Sequence, residues 1–420
     1  MLYELWQRVS REHAARIALT DLRTRRCWTF GELARTAEQG GPSGGRVVFP
    51  QGNGPEFIFT VLNAWRAGAI LCPLESGQTP PELGDLPPDF VHLKTTSATT
   101  GEPRLVAFTA EQLAADVENI LPTMGLRSDW PNLGVISLAH SYGFSNLVLP
   151  LLLRGIPLLL LDSPLPEAVR AAASAADHLT LPAVPALWRA WHEANAIPPN
   201  VRLAISAGAP LPLQLEQDIF AASRLKLHNF CGATECGGIA YDASETPRTD
   251  GSLIGRAMRN VALAVNSDGA LEVRSRAVGQ GYWPEPDANL AGGCYRTSDL
   301  AELKEGEVFL RGRAGDQINV AGRKVSPEAI ERVLLKHPSV KDCLVFGVPT
   351  AAAGRSDIVV ACVVGKPEDG SESLRQFLLA QLPAWQLPRE WRFVDSLAPN
   401  LRGKLSRAEW RTKLGFAAPV

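Results

Sequence analysis

The stretch 46–74 constrains the fold of this chain more than any other. Arg46-Val47-Val48-Phe49 is a short apolar run that ends in the turn residues Pro50-Gln51-Gly52-Asn53-Gly54. Residues 56–67 then place Phe57, Val61, Ala64 and Trp65 at helical spacing, and Gly68 stops the helix. A second apolar run, 69–74, follows. Strand, turn, helix and strand in that order make a βαβ unit, which demands a parallel pair and a crossover helix over one sheet face. The alternation returns further on, with strand-like runs at 135–138, 157–161, 178–181 and 201–206 and a helical run at 167–176. The expectation is an α/β protein with a largely parallel sheet. Residues 1–40 read as helical with one strand-like break at Cys27-Trp28-Thr29-Phe30.

The texture changes twice more. Residues 251–302 carry short strands with frequent glycine, the pattern of a mainly β subdomain. Beyond 311 a compact unit follows: a hairpin to Val325, a helix over 327–337, strands at 343–348 and 358–363, and a helix over 371–382. The boundary between the two textures falls at Arg313-Ala314-Gly315.

Composition narrows the function. With 42 basic and 44 acidic residues the net charge is −2, so no whole-chain field recruits nucleic acid or an anionic membrane. The most apolar stretch, 147–161, is interrupted by Pro150, Arg154, Gly155 and Pro157 and reads as buried core, not a membrane span. The N-terminus has no basic segment followed by an apolar run, so no signal peptide is expected. Seven scattered cysteines without a CxxC pair read as free thiols in a reducing compartment, and the protein is expected to be cytoplasmic.

The densest polar motif is Thr95-Thr96-Ser97-Ala98-Thr99-Thr100-Gly101-Glu102-Pro103-Arg104. Hydroxyls and backbone N–H groups packed this closely suit the oxygens of a polyphosphate, which need many short hydrogen bonds. The strand-like Phe90-Val91-His92-Leu93 puts the loop at a strand end, and no Gly-Lys-Ser/Thr follows, so it is not a Walker A loop. Alone, it is equally well an ordinary polar connector. Four further motifs accompany it. They are His228-Asn229-Phe230-Cys231-Gly232-Ala233-Thr234-Glu235, then Tyr295-Arg296-Thr297-Ser298-Asp299-Leu300, then the run from Gly312-Arg313-Ala314-Gly315 to Val320-Ala321-Gly322-Arg323-Lys324, and lastly Pro399-Asn400-Leu401-Arg402-Gly403-Lys404.

With these five motifs in this order, the chain from about Trp28 to Arg407 resembles the adenylate-forming superfamily of acyl-CoA synthetases, firefly luciferases and peptide-synthetase adenylation domains. The resemblance implies an α/β fold: a large N-terminal domain over 1–312, with stacked sheets and a β subdomain, and a small mobile α+β lid over 313–420. It assigns ATP contacts to Thr96, Ser97, Thr99, Thr100 and Gly101 in the phosphate loop and to Gly208, Ala209 and Pro210 beside the adenine. Asn229, Phe230, Cys231 and Gly232 belong to the same nucleotide wall. Thr234 would meet the α-phosphate, and Glu235 would hold Mg²⁺, a hard anion for a hard cation. Asp299 would accept the ribose hydroxyls and Arg313 would reach the same sugar. Lys404 would bridge the acid's carboxylate and the α-phosphate, lowering the barrier to joining two anions. His140 would gate the acyl pocket. Ala314 and Gly315 would form the hinge, and Gly322, Arg323 and Lys324 would line a channel for the thiol.

The implied activity is ATP-dependent activation of an aryl or fatty acid to an acyl-adenylate, followed by transfer to the thiol of CoA. The alternative acceptor is the phosphopantetheine arm of an acyl carrier protein. No acid occupies the place where amino-acid-selecting domains carry a Phe-Asp pair, so a plain carboxylic acid is expected. Several positions depart from the pattern. Ala98 stands for a glycine and Arg104 for a lysine. Cys231 stands for an adenine-stacking tyrosine, with Phe230 as the neighbouring aromatic that would compensate. Gly315 stands for a charged hinge residue and Asn319 for a lysine. Only about twenty residues separate Leu74 from Lys94, a much shorter segment than the family's. These departures are the only support for a different class of protein, a non-catalytic nucleotide-binding scaffold.

Overall fold

The computed structural model describes residues 1–40, 45–96, 103–349, 357–365, 367, 370–397 and 405–416. The βαβ unit of the opening stretch is present. Val47–Val48 pairs in parallel with Ile70–Leu71 (Val47 opposite Ile70), and the helix Pro55–Ala67 is the crossover. Its buried face is Phe57, Ile58, Val61, Leu62, Ala64 and Trp65. The sheet continues through His92–Thr95 to the antiparallel strands Leu105–Phe108 and Gly281–Trp283.

A larger sheet lies in the same lobe. Ile17–Asp21, Leu158–Leu160, Asn132–Gly134, Leu179–Ala183, Val201–Ser206 and Leu227–Ala233 run parallel to their neighbours in that order. Leu158–Leu160 and Leu179–Ala183 are buried throughout, as strands covered on both faces must be. Leu227–Ala233 changes partners midway. Its first half pairs in parallel with Val201–Ser206, Asn229 opposite Ser206. Its second half pairs antiparallel with Gly237–Tyr241, Phe230 opposite Tyr241. From there an antiparallel ladder continues through Leu253–Ala257, Glu307–Arg313, Cys294–Lys304, Ala270–Arg274 and Ala262–Val265, which is the β region expected over 251–302.

Two expectations fail. Residues 1–40 contain two strands, since Ile17–Asp21 pairs antiparallel with Arg26–Thr29 (Asp21 opposite Arg26). A five-residue strand followed by the polar turn Arg23-Thr24-Arg25 carries too little periodicity to stand out. The strand expected at 135–138 is instead Asn132–Gly134. Val135, Ile136 and Leu138 are buried, which gives the apolar signature, but the backbone has left the ladder: Leu138 N donates to Asn53 Oδ1 at 2.9 Å. The apolar stretch 147–161 is core, and among the described residues no helix is long and apolar enough to cross a membrane.

After Arg313 the short 3₁₀ turn Ala314–Asp316 leads to the hairpin Ile318–Val320/Arg323–Val325, the helix Pro327–Leu334, the three strands Asp342–Pro349, Asp357–Val364 and Glu390–Val394, and the helix Ser371–Leu379. The apolar cluster of Ile318, Val325, Ile330, Leu334, Val345 and Val359 is separate from the main core. Arg332 Nη1 reaches back across the join to Leu310 O at 3.0 Å.

Candidate active site

The loop expected to bind phosphates starts and ends on two paired strands. Thr95 lies opposite Leu105, Thr96 N donates to Arg104 O at 2.8 Å, and Arg104 N donates to Thr96 Oγ1 at 2.9 Å. Both ends of the loop are therefore pinned at Thr96 and Arg104, while Ser97, Ala98, Thr99, Thr100 and Gly101 lie outside the described residues. Arg104 is held by contacts of its own. Its guanidinium sits 3.5 Å over the Tyr282 ring and donates to Asp287 Oδ2 at 2.9 Å. One planar guanidinium thus combines stacking on Tyr282 with the ion pair to Asp287.

Tyr282 links that loop to the next motif. Its hydroxyl donates to Glu235 Oε1 at 3.0 Å, and Gly279 N donates to Glu235 O at 2.8 Å. Burial, then the Glu235 charge, pushes both Tyr282 and Tyr295 well above the ordinary phenol range. The phenols stay protonated.

Asp299 and Arg313 face each other on adjacent antiparallel strands. Arg313 Nε donates to Asp299 Oδ1 at 2.9 Å, and Asp299 N is fixed by Thr297 Oγ1 at 3.0 Å. Tyr295 and Asp299 lie on the same strand, Cys294–Lys304, and Asp299 is within electrostatic reach of Tyr295 and Cys231. Burial, then Asp299, pushes the Cys231 thiol up to about 12, so it remains a neutral wall group. Successive strand residues point to opposite faces, and the Phe230 ring packs at 5.9 Å from Tyr142.

Gly208, Ala209 and Pro210 follow the strand Val201–Ser206, whose end is set by Ala207 N donating to Ala183 O at 3.1 Å. Four buried charges that the motifs do not include hold this loop to the strand bearing Asn229 and Gly232. Arg248 Nη2 donates to Leu211 O at 2.9 Å and its Nε to Glu216 Oε2 at 2.8 Å. Lys226 pairs with Glu216 and, at 2.6 Å, with Asp242, whose N donates to Asn229 O at 2.9 Å. The four are spread over residues 216 to 248, and the only signal in the sequence is charge within otherwise apolar elements.

His140 caps the short helix Ser141–Gly143, its Nδ1 accepting from Tyr142 N at 3.2 Å. Ala314 and Gly315 lie in the 3₁₀ turn after Arg313. Gly322 lies in the exposed turn of the hairpin and donates from N to Asn319 Oδ1 at 2.9 Å, and the exposed Arg323 and Lys324 open the second strand, Arg323 lying 5.2 Å over Trp385. Lys404 lies outside the described residues. Three residues on, Arg407 pairs with Asp316 at 2.8 Å and Glu331 at 2.9 Å, beside the turn that holds Gly315.

The chain matches two family models: AMP-binding enzyme over residues 86–283, and AMP-binding enzyme C-terminal domain over residues 329–404. It is 25% identical over 465 residues to a feruloyl-CoA synthase of Amycolatopsis sp, with 92% of this chain and 94% of that protein covered. It is 30% identical over 353 residues to an anthranilate–CoA ligase of Pseudomonas aeruginosa, with 76% and 66% covered. In fold it is similar to ATP-bound MatB from Rhodopseudomonas palustris, with a TM-score of 0.84 at 20% identity over 98% of this chain and 99% of that one.

Proposed function

The chain belongs to the AMP-binding enzyme family, and on that premise we propose that it joins a carboxylic acid to the thiol of CoA through an acyl-adenylate. The observation that carries the reading is one chain of contacts: Arg104, at the end of the loop, stacks on Tyr282, whose hydroxyl donates to Glu235, while Asp299, paired with Arg313, stands on the strand that carries Tyr295. A nucleotide laid across it has its phosphates at the loop, its ribose at Asp299 and Arg313, and its adenine between Gly208-Ala209-Pro210 and the wall formed by Asn229, Cys231 and Gly232. Phe230, facing Tyr142, belongs on the acyl side with His140.

Glu235, with Thr234 beside it, would hold Mg²⁺, which supplies charge neutralisation on the phosphates. The acid's carboxylate attacks the α-phosphorus, pyrophosphate leaves, and Lys404 stabilises the two anions as they meet. The thiol then attacks the acyl carbonyl and AMP leaves. We place the domain boundary after residue 312 and the hinge at Ala314 and Gly315. Rotation there would withdraw Lys404 and bring Gly322, Arg323 and Lys324 to the acyl centre. Seven free cysteines, none in a disulfide, fit a cytoplasmic enzyme. The names of similar proteins include aryl-bearing acids and long-chain fatty acids alike, so the acid proposed here is an aryl or a fatty acid.

The test is acid-dependent exchange of labelled pyrophosphate into ATP over a panel of aryl and fatty acids. The best acid is then assayed for thioester with CoA or with a phosphopantetheine-bearing carrier protein. Exchange is expected with at least one acid, with thioester on CoA, and Lys404→Ala should cut exchange about a hundredfold or more, the scale of losing a preorganised charge. ATP binding without exchange on any acid would leave a nucleotide-binding scaffold in its place.

A further inference from the structure

Lys94 stands two residues before Thr96 on the strand that enters the phosphate loop, and its ammonium is 3% exposed. Nζ donates to Ser145 Oγ at 3.0 Å and lies 4.0 Å from Asp116 Oδ2. Asp116 comes from the helix Ala110–Met124, whose start is set by the capping box of Thr109 and Gln112, and it is 2% exposed. Its Oδ1 accepts from Gly238 N at 3.2 Å, while among the described residues Oδ2 has no hydrogen-bond partner. The fit is tight. Gly237 has φ +69°, and a Cβ there would lie 2.0 Å from Asp116 Oδ1.

Three site segments therefore meet at two charges. Lys94 belongs to the strand carrying the phosphate loop, Ser145 to the helical turn Phe144–Val148 downstream of His140, and Gly238 to the strand that begins two residues after Glu235. Stability alone does not call for this pair. Removing two charges from water costs more than their attraction returns unless geometry is very good, and packed apolar residues of similar size are commonly as stable or more so. A 4.0 Å separation with one carboxylate oxygen unpartnered is not such geometry.

We propose that Lys94 and Asp116 are a positioning pair that holds the Thr234–Glu235 turn in register with the stem of the phosphate loop, so that metal and phosphates are gripped together. The proposal rests on the reading of Glu235 as the Mg²⁺-holding carboxylate. The pair acts through Gly238 and through the strand leading to Thr96, and it touches neither nucleotide nor acid.

The experiment is titration of the full-length protein with ATP, in the absence of any acid so that no turnover occurs, with Mg²⁺ and again with EDTA. The informative variant is Lys94→Met with Asp116→Asn. It leaves no buried charge unpaired, fills the same volume, and keeps an acceptor for Gly238 N. It is expected to melt near the wild type and to bind Mg·ATP about ten-fold more weakly, the low end of what a lost supporting contact costs at a metal site. Binding of metal-free ATP should change less than two-fold, a split that a general loosening of the fold would not produce. Ser145→Ala keeps both charges and is expected to weaken Mg·ATP binding about two-fold, a small coupling loss. Wild-type Mg·ATP affinity in the double variant would overturn the proposal. If the double variant does not fold, unchanged Mg·ATP affinity in Ser145→Ala would overturn it. Failure of Mg²⁺ to strengthen ATP binding in the wild type would instead overturn the reading of Glu235.

Discussion

His92 has to stay neutral to keep its place. It is fully buried, its ring 4.3 Å from Phe144 and 6.4 Å from Phe108, and among the described residues neither ring nitrogen has a hydrogen-bond partner. Burial, and then the nearby Lys94, hold its pKa well below the ordinary histidine value. The unfolded chain takes up a proton at about pH 6.5 and the folded one does not, so protons favour unfolding as the pH falls through that value. Denaturant titration should show this group's contribution flat above about pH 7.5 and declining by up to about 1.4 kcal/mol per pH unit below pH 6.5. His92→Leu should remove that part of the slope, and an unchanged slope would show that another group carries it. At this scale the motif residues were legible by type and order, and the structure pairs two of them, Asp299 and Arg313, directly. Lys94 and Asp116 were not, because 22 positions separate them and a lysine before a polar loop reads as solvated.

Among elements, the loop Ser206 to Leu211 depends on charges outside it. Glu216, Lys226, Asp242 and Arg248 are two anions and two cations, each at most 7% exposed, and Arg248 alone carries the bond to Leu211 O. Arg248→Ala leaves one cation for two buried carboxylates. Breaking such a network should cost about 3–5 kcal/mol, and a thermal melt should register it. The same variant, once folded, should bind ATP more weakly if the loop lines the adenine as proposed, because that loop loses its tether. The regular elements were largely visible in advance: Val201–Ser206 matches the expected strand, and Pro55–Ala67 the expected helix to within one residue. What escaped was pairing. Burial makes 135–138 look like a strand, and only the hydrogen bond from Leu138 N to Asn53 shows that the ladder has ended. Side-chain acceptors for backbone donors leave no periodic trace in a sequence.

For the whole molecule, the turn after Arg313 is the hinge we propose between the two domains. Gly315 has open space around it, and it sits in the first turn of a 3₁₀ helix, where proline's fixed φ is tolerated. Gly315→Pro is therefore expected to fold and to support pyrophosphate exchange, while thioester formation falls by at least ten-fold, as a gating step closed to rotation would require. Equal loss of both half-reactions would argue against a hinge there. The change of texture at this point was visible in sequence, but the clasp of Arg407 on Asp316 and Glu331 was not, since it joins residues 91 and 76 positions apart.

The strand Leu227–Ala233 works for two sheets at once, parallel on one flank and antiparallel beyond Phe230. That double membership makes it the point around which the chain's length can be edited but through which it cannot. A residue gained or lost within those seven positions would turn one sheet's side chains half a revolution against the other's and swing Glu235 to the wrong side. Residues 75–91 carry no regular element beyond loops that pack through Leu86 and Phe90, so trimming there leaves both ladders aligned. A lineage can grow lean in that segment and keep its chemistry.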